Sequence, residues 1–196
     1  MVLDCQTQTL RETIGFVLET KRLTLRQPTL ADVKAISGIV GDKRVSINLR
    51  RVPHPYTLDH AADFITSCAN SSETVFLVEN ARKAVGLVGL SWEIEGLPEL
   101  GYCFGVDHWG QGFATEAAQS VIDFGFQVFS VERMISSARV VNTASRHVLE
   151  KCGFNWTGVE INRFLALGSS TPVDCFKLER SVWSSIRNWS NSTRNN

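Results

Sequence analysis

Residues Trp109-Gly110-Gln111-Gly112-Phe113-Ala114-Thr115 stand between a short apolar run, Tyr102 to Val106, and a long amphipathic pattern that begins near Ala114. The reading is a strand, a tight glycine turn and a helix. Two glycines one residue apart let the chain turn sharply and let a ligand approach the backbone, because neither carries a Cβ. The first N–H groups of a helix have no partner within it, and the helix dipole is positive at that end. Such an array is a phosphate site, so a phosphorylated cofactor is expected here.

Working outward, the amphipathic pattern places Ala114, Ala117, Ala118, Val121, Ile122, Phe126 and Val128 on one face and Glu116, Gln119, Ser120, Asp123 and Gln127 on the other,. Upstream, Val75 to Glu79, Ala84 to Ile94 and Leu100 to Val106 read as strands, with Ala81-Arg82-Lys83 as a hairpin-like link. The third of these has no polar face and is expected to be central and covered on both sides. Earlier still, Arg22 to Arg26 alternates as a strand. Leu30 to Val40 reads as a helix ended by Gly41, Asn48 to Tyr56 as a proline-containing loop, and Thr57 to about Ala69 as a second helix. Downstream, Met134 to Val140 is a strand. Asn142 or Thr143 caps a helix from Ala144 to Cys152, and Gly153 suits its C′ position. Phe154 to Val159 and Val173 to Leu178 are the last strands. Antiparallel strands come first and an α/β half follows, which is an α+β layout.

The 196 residues, 43% hydrophobic, fit one domain, taken as 20–189,. Residues 1–19 look like an N-terminal extension, in which Leu10, Ile14, Val17 and Leu18 have helical spacing, and 190–196 like a polar tail. Twenty basic and twenty acidic residues cancel, so no basic excess marks a nucleic-acid partner,. Five cysteines, Cys5, Cys68, Cys103, Cys152 and Cys175, form no C-x-x-C pair and show no zinc-ligand spacing, so no metal is expected and reduced thiols are,. The apolar run Ile14 to Leu18 is too short for a membrane span or a signal core; the expectation is a cytoplasmic protein without a membrane partner, a monomer or homodimer.

Two common phosphate motifs fail. No lysine follows Gly112 as a P-loop requires, and Thr115 stands where a dinucleotide fingerprint has its third glycine. The segment from Glu99 through Leu100-Gly-Tyr102 and Trp109-Gly-x-Gly-Phe-Ala-Thr-Glu-Ala117 instead resembles the signature of the GNAT acetyltransferases, in particular the branch similar to ribosomal-protein alanine N-acetyltransferases (RimJ/RimL-like). A second block, Asn142-Thr-Ala-Ser145 followed by Val148-Leu-Glu-Lys-Cys-Gly-Phe154, resembles the family's Asn-x-x-Ser…Leu-x-x-x-Gly-Phe. The opening Glu19 to Arg26 resembles its first strand. The likeness runs from about Glu19 to the final strand and implies a GNAT fold, a mixed sheet flanked by helices with acetyl-CoA at a splayed strand pair.

The same resemblance implies the chemistry. Gly110, Gln111, Gly112, Phe113, Ala114 and Thr115 would hold the pyrophosphate of acetyl-CoA. Phe104, Gly105 and Val106 would offer backbone groups to the pantetheine arm, and Asn142 would contact the cofactor, although its side chain would equally cap a helix. Transfer of an acyl group from a thioester to an amine needs a group to remove the ammonium proton and a donor to the leaving thiolate. Ser145 lies where the branch places a serine near the CoA sulfur and is the candidate acid, its other reading being a polar residue in a helix's first turn. Leu149 occupies the position where other members carry a tyrosine acid. Glu99 is the candidate base, with Glu93 and Glu95 as alternatives, and each is equally readable as an exposed carboxylate. The four histidines share no metal spacing and read as surface or packing residues, and Cys103 reads as a small apolar filler. Trp92, Trp156 and Trp183 belong to the core or to the acceptor pocket. The region Glu160 to Phe164 departs from the ribosomal-protein enzymes, which weakens a peptide substrate. The acceptor is therefore a protein N-terminus or a small amine, and a catalytically silent acyl-CoA-binding module is the rival.

Overall fold

Alternation builds the sheet. In Thr74–Asn80, Phe76 and Val78 point to one face and Leu77 to the other, all three fully buried,. The computed structural model describes residues 16–70, 73–94 and 96–192. Its elements are β1 (Val17–Glu19), β2 (Thr24–Arg26), α1 (Val33–Val40), α2 (Lys43–Ser46), α3 (Leu58–Asn70), β3 (Thr74–Asn80), β4 (Lys83–Ile94), β5 (Leu97–Phe104), α4 (Phe113–Val128), β6 (Arg133–Arg139), α5 (Thr143–Lys151), β7 (Asn155–Phe164), β8 (Ser169–Glu179) and α6 (Arg180–Ser192). The strands form one eight-stranded sheet in the order β1-β2-β3-β4-β5-β6-β8-β7. Every pairing is antiparallel except β5–β6, which is parallel and is matched at Glu99↔Ile135 alone.

Each face of the sheet carries a core. On one face α4 buries Ala117, Ala118, Val121, Ile122 and Phe126 against Leu90, Leu100, Met134 and Leu178. On the other, Ile36 and Val40 of α1 and Ala61 and Ile65 of α3 cover Leu77 and Leu87. A fully buried aliphatic side chain is worth about 1.5–3 kcal/mol relative to exposure, so these two layers hold both faces of the central strands.

The GNAT expectation of a mixed α+β sheet flanked by helices holds, and several local expectations are corrected. Val17 and Leu18, read as helical, form β1 and pair with Arg26 and Leu25; the rest of that proposed helix, residues 1–15, lies outside the described residues. The third strand is central but not covered throughout, because Gly101 is exposed on a cavity. It also ends at Phe104, and Val106 enters a 3-10 turn, Val106–His108. The first helix opens with a 3-10 turn, Leu30–Asp32. Between α1 and the proline loop lies α2, capped by Asp42, whose Oδ1 accepts from Arg44 N at 2.8 Å. β7 runs on to Phe164. It is an edge strand with Val159 and Ile161 exposed, so burial leaves little alternation to read,. Finally, α6 is a helix outside the expected elements, although Val182, Trp183 and Ile186 have helical spacing. Its Trp183 stacks on Phe126 at 5.0 Å and donates Nε1 to Asp123 Oδ1 at 2.8 Å.

Candidate active site

The glycine turn takes its shape from two left-handed residues. Gly110 has φ +73° and Gly112 φ +78°, and Gly112 is the N-cap of α4. With no side chain at the cap, the first-turn N–H groups of α4 are left for a ligand. The turn is clamped from the sheet edge. Arg22 donates Nη1 to Gln111 O at 2.9 Å and Nε to Glu116 Oε2 at 2.7 Å, with its guanidinium 4.7 Å over the Phe113 ring. Thr20 Oγ1 donates to Glu116 Oε1 at 2.7 Å. These bonds hold the Glu116 carboxyl below its ordinary range even though burial pushes it the other way.

The single β5–β6 match opens a wedge between the two strands. The Gly105 N–H to Val85 O bond, 2.9 Å, fixes the pairing phase with β4, so Cys103 and Gly101 direct their main-chain groups at β4,. Tyr102 and Phe104 alternate with them and direct theirs toward β6. Leu100 does the same, and its carbonyl accepts from Ser136 Oγ at 2.8 Å. A cavity of about 950 Å³ occupies the wedge and reaches both faces of the sheet. On one side it meets Gly110, Gly112 to Thr115, Asn142 and Ser145; on the other it meets Glu99, Arg50, His60, Arg139 and Phe164.

Not every anticipated cofactor residue borders this cavity. Phe104 does, but its carbonyl accepts from Trp109 Nε1 at 2.8 Å. Gly105 has its N–H engaged by Val85 and its carbonyl by His108 N at 2.9 Å; with Val106 it lines a separate small depression against Gly38 and Asp42. The cause is the chain leaving the sheet after Phe104. Main-chain groups for an extended ligand are therefore offered one step earlier, at Tyr102. The side chain of Gln111 turns back to donate to Asp107 O at 2.9 Å.

Asn142 is the N-cap of α5, its Oδ1 accepting from Ser145 N at 3.2 Å. This bond fixes Ser145 in the first turn, where Tyr102 meets it. The Tyr102 hydroxyl lies 3.0 Å from Ser145 O and 2.9 Å from Ser145 Oγ. A phenol has one proton. When Tyr102 donates it to the carbonyl, the Ser145 hydroxyl keeps its own proton to donate. Burial drives the Tyr102 phenol well above its ordinary pKa, so it remains neutral and acts as a holder of Ser145,. Leu149 is fully buried.

Glu99 projects to the other face of β5 and is largely shielded, its side chain 15% exposed. Arg50 Nη2 reaches Oε2 and Ser137 Oγ reaches Oε1, both at 3.3 Å, long bonds that leave carboxylate lone pairs for an incoming amine. Glu95 lies outside the described residues, and Glu93 is in β4. Burial pushes the thiols of Cys103 and Cys152 up to about 12, so neither is a thiolate at neutral pH,. Trp92 packs edge-on against Phe129, and Trp156 donates to Asp174. Sequence reading missed Tyr102, Arg50 and Arg139. Tyr102 stood inside the quoted signature, whereas nothing local to the two arginines marks them.

Residues 22–155 match the family model described as "Acetyltransferase (GNAT) domain". The chain belongs to the GNAT acetyltransferases. It is 28% identical over 169 residues to the uncharacterised N-acetyltransferase p20 of Bacillus licheniformis, covering 82% of this chain and 94% of that one. It is 24% identical to spermidine N(1)-acetyltransferase of Vibrio cholerae, over 78% of this chain and 90% of that one. Among solved structures, spermidine N-acetyltransferase from Vibrio cholerae with CoA and spermine superposes with a TM-score of 0.72 at 24% identity, covering 84% of this chain and 99% of that one. The ribosomal L7/L12 alpha-N-protein acetyltransferase RimL, in complex with CoA, gives 0.74 at 16% identity, over 84% and 98%. This GNAT chain is thus an N-acetyltransferase. Among its described residues no helix is long and apolar enough to cross a membrane, and no group of three or more potential ligands is placed to hold a metal ion.

Proposed function

We propose that this enzyme moves the acetyl group of acetyl-CoA directly to a primary amine, on a protein or peptide N-terminus or on a small molecule. The observation that carries the reading is the cavity through the β5–β6 wedge, with the glycine turn and Ser145 on one face and Glu99 on the other. The donor set fits acetyl-CoA. The uncapped first turn of α4 suits a pyrophosphate, and the β6-facing groups of Tyr102 suit an extended amide-bearing arm,. Gly110, where a Cβ would meet nothing within 4 Å, leaves room beside the turn.

Bound acetyl-CoA supplies an activated thioester and a thiol leaving group. Glu99 accepts the proton of the incoming ammonium, directly or through one water, and so frees the nitrogen lone pair. The N–H of Tyr102 is the donor closest in the sheet to the wedge and is suited to stabilising developing negative charge on an acyl oxygen. The Ser145 hydroxyl, held by Tyr102 and by the Asn142 cap, donates to the leaving sulfur. The high thiol pKa values of Cys103 and Cys152 favour direct transfer over an acyl-cysteine. Release of CoA thiol from acetyl-CoA with a panel of amines tests the reading, alongside thermal stabilisation by acetyl-CoA. Stabilisation without thiol release on any amine would replace the enzyme by a silent acyl-CoA-binding module, and absence of stabilisation would remove the cofactor assignment.

A further inference from the structure

Arg139 is the last residue of β6 and falls on the acceptor face. Met134, Ser136 and Ala138 are buried on the opposite face, and Ser137, two residues back, touches Glu99,. The guanidinium lies 5.7 Å over the Phe164 ring, and its one hydrogen bond among the described residues, Nη1 to Ile47 O, is 3.3 Å long. Nε is buried with no partner. Among the described residues no carboxylate forms an ion pair with Arg139. The other arginines at the cavity differ, since Arg50 pairs with Glu99 at 3.3 Å and Arg51 with Glu73 at 3.0 Å. Among the described residues the interior carboxylates of the acceptor side, Glu99 and Glu73, thus already face arginines, and Asp63 is exposed at the rim.

We propose that the acceptor of this enzyme is an amine that also carries an anionic group, with Glu99 receiving the amine and Arg139 the anion. This rests on the transferase reading above. A guanidinium has five donors in a fork that matches a carboxylate or a phosphate, and Arg139 has four of them without a hydrogen bond. A polyamine would bring extra positive charge to a chamber in which, among the described residues, the inner carboxylates Glu99 and Glu73 are paired and the Arg139 guanidinium has no counter-charge. Spacing narrows the class further. Ser137, which touches Glu99, and Arg139 are two residues apart along β6, roughly 7 Å, about the span of a dipeptide. The amine and the anion therefore sit several bonds apart.

The test compares kcat/KM for short dipeptides with free C-termini, the same dipeptides as C-terminal amides, aminoalkyl phosphates, and spermidine. The free-carboxylate or the phosphate acceptor is expected to exceed the amide by at least about tenfold, the worth of one shielded charge-assisted contact. Whichever of the two anions leads identifies its source. Arg139→Gln should bring that ratio close to one with the KM for acetyl-CoA unchanged, and Arg139→Lys should restore part of it. The wild-type ratio alone decides the matter should a variant fail to fold. Turnover of the amide equal to that of both the carboxylate and the phosphate acceptors, or preference for spermidine, overturns the anion assignment and leaves the transferase standing. No turnover on any amine overturns both.

Discussion

Replacing Gly112 by alanine attacks the cofactor turn at its most constrained residue. At φ +78° an alanine pays the steric penalty of the left-handed region, about 1 kcal/mol,. Its methyl would also lie 3.3 Å from Arg22 Nη2, closer than an ordinary contact. Arg22 cannot yield freely, since its Nε bonds Glu116 and its Nη1 bonds Gln111 O. Loosening an ion pair as open as this one, with Arg22 41% exposed, adds roughly 0.5–1 kcal/mol,. The sum is about 2 kcal/mol, which for a chain of this size lowers Tm by roughly 4–8 °C. The second effect is on the ligand. Acetyl-CoA at about 100 times its Kd stabilises the wild type by about 2.7 kcal/mol; a tenfold weaker site gains only about 1.4 kcal/mol at the same concentration. Thermal melts with and without acetyl-CoA read both quantities. Gly101→Ala is the control, because a Cβ there meets nothing within 4 Å and its φ is not in the left-handed region, so the fold should tolerate it. An undiminished acetyl-CoA shift in Gly112→Ala, or an equal Tm loss in Gly101→Ala, would refute the reasoning.

Tyr102→Phe should lower kcat about tenfold with little change in the KM for acetyl-CoA, and combined with Ser145→Ala should cost no more than Ser145→Ala alone, since both remove one unit; additive losses would separate the two residues. Asp32 accepts from both Arg26 Nη atoms at 2.9 and 2.8 Å and from Thr29 N at 2.7 Å, and its carboxyl falls from 3.8 to about 2, chiefly through the Arg26 bonds. A depressed folded-state pKa means stability present above about pH 4 and lost as pH falls toward 2, about 2 kcal/mol in all; urea unfolding between pH 3 and 6 should show this slope in the wild type and lose it in Asp32→Asn, and parallel curves for the two would contradict it.

The glycine turn and both helices that meet the wedge were legible because local chemistry fixes them. Glycine alone takes the left-handed cap before α4 cheaply, and Asn142 caps α5 through its own side chain,. The strands from β2 to β5 carried enough alternation to be read, whereas Val17 and Leu18 of β1 read as helical. Other parts depend on contacts between residues far apart in the chain. The spacing of Val182, Trp183, Ile186 and Trp189 marks α6 as a helix, but its docking rests on Trp183 finding Phe126 and Asp123, which spacing alone does not announce. The same holds for the site. Ser145 and Glu99 could be nominated from a signature, but Tyr102 acquires its partner only when β5 passes α5, and Arg139 meets Phe164 and Ile47 only once distant parts of the chain are brought together. The exit of the chain after Phe104, which turns Gly105 and Val106 away, is likewise set by the Val85 bond and the Trp109 side chain.

Direct transfer across the wedge, with donor and amine present together, is the central claim. Initial velocities measured at several fixed amine concentrations while acetyl-CoA is varied test it. Intersecting double-reciprocal lines are predicted, because both substrates must occupy the cavity before the acetyl group moves. Parallel lines, the signature of an acetylated enzyme intermediate, would contradict it.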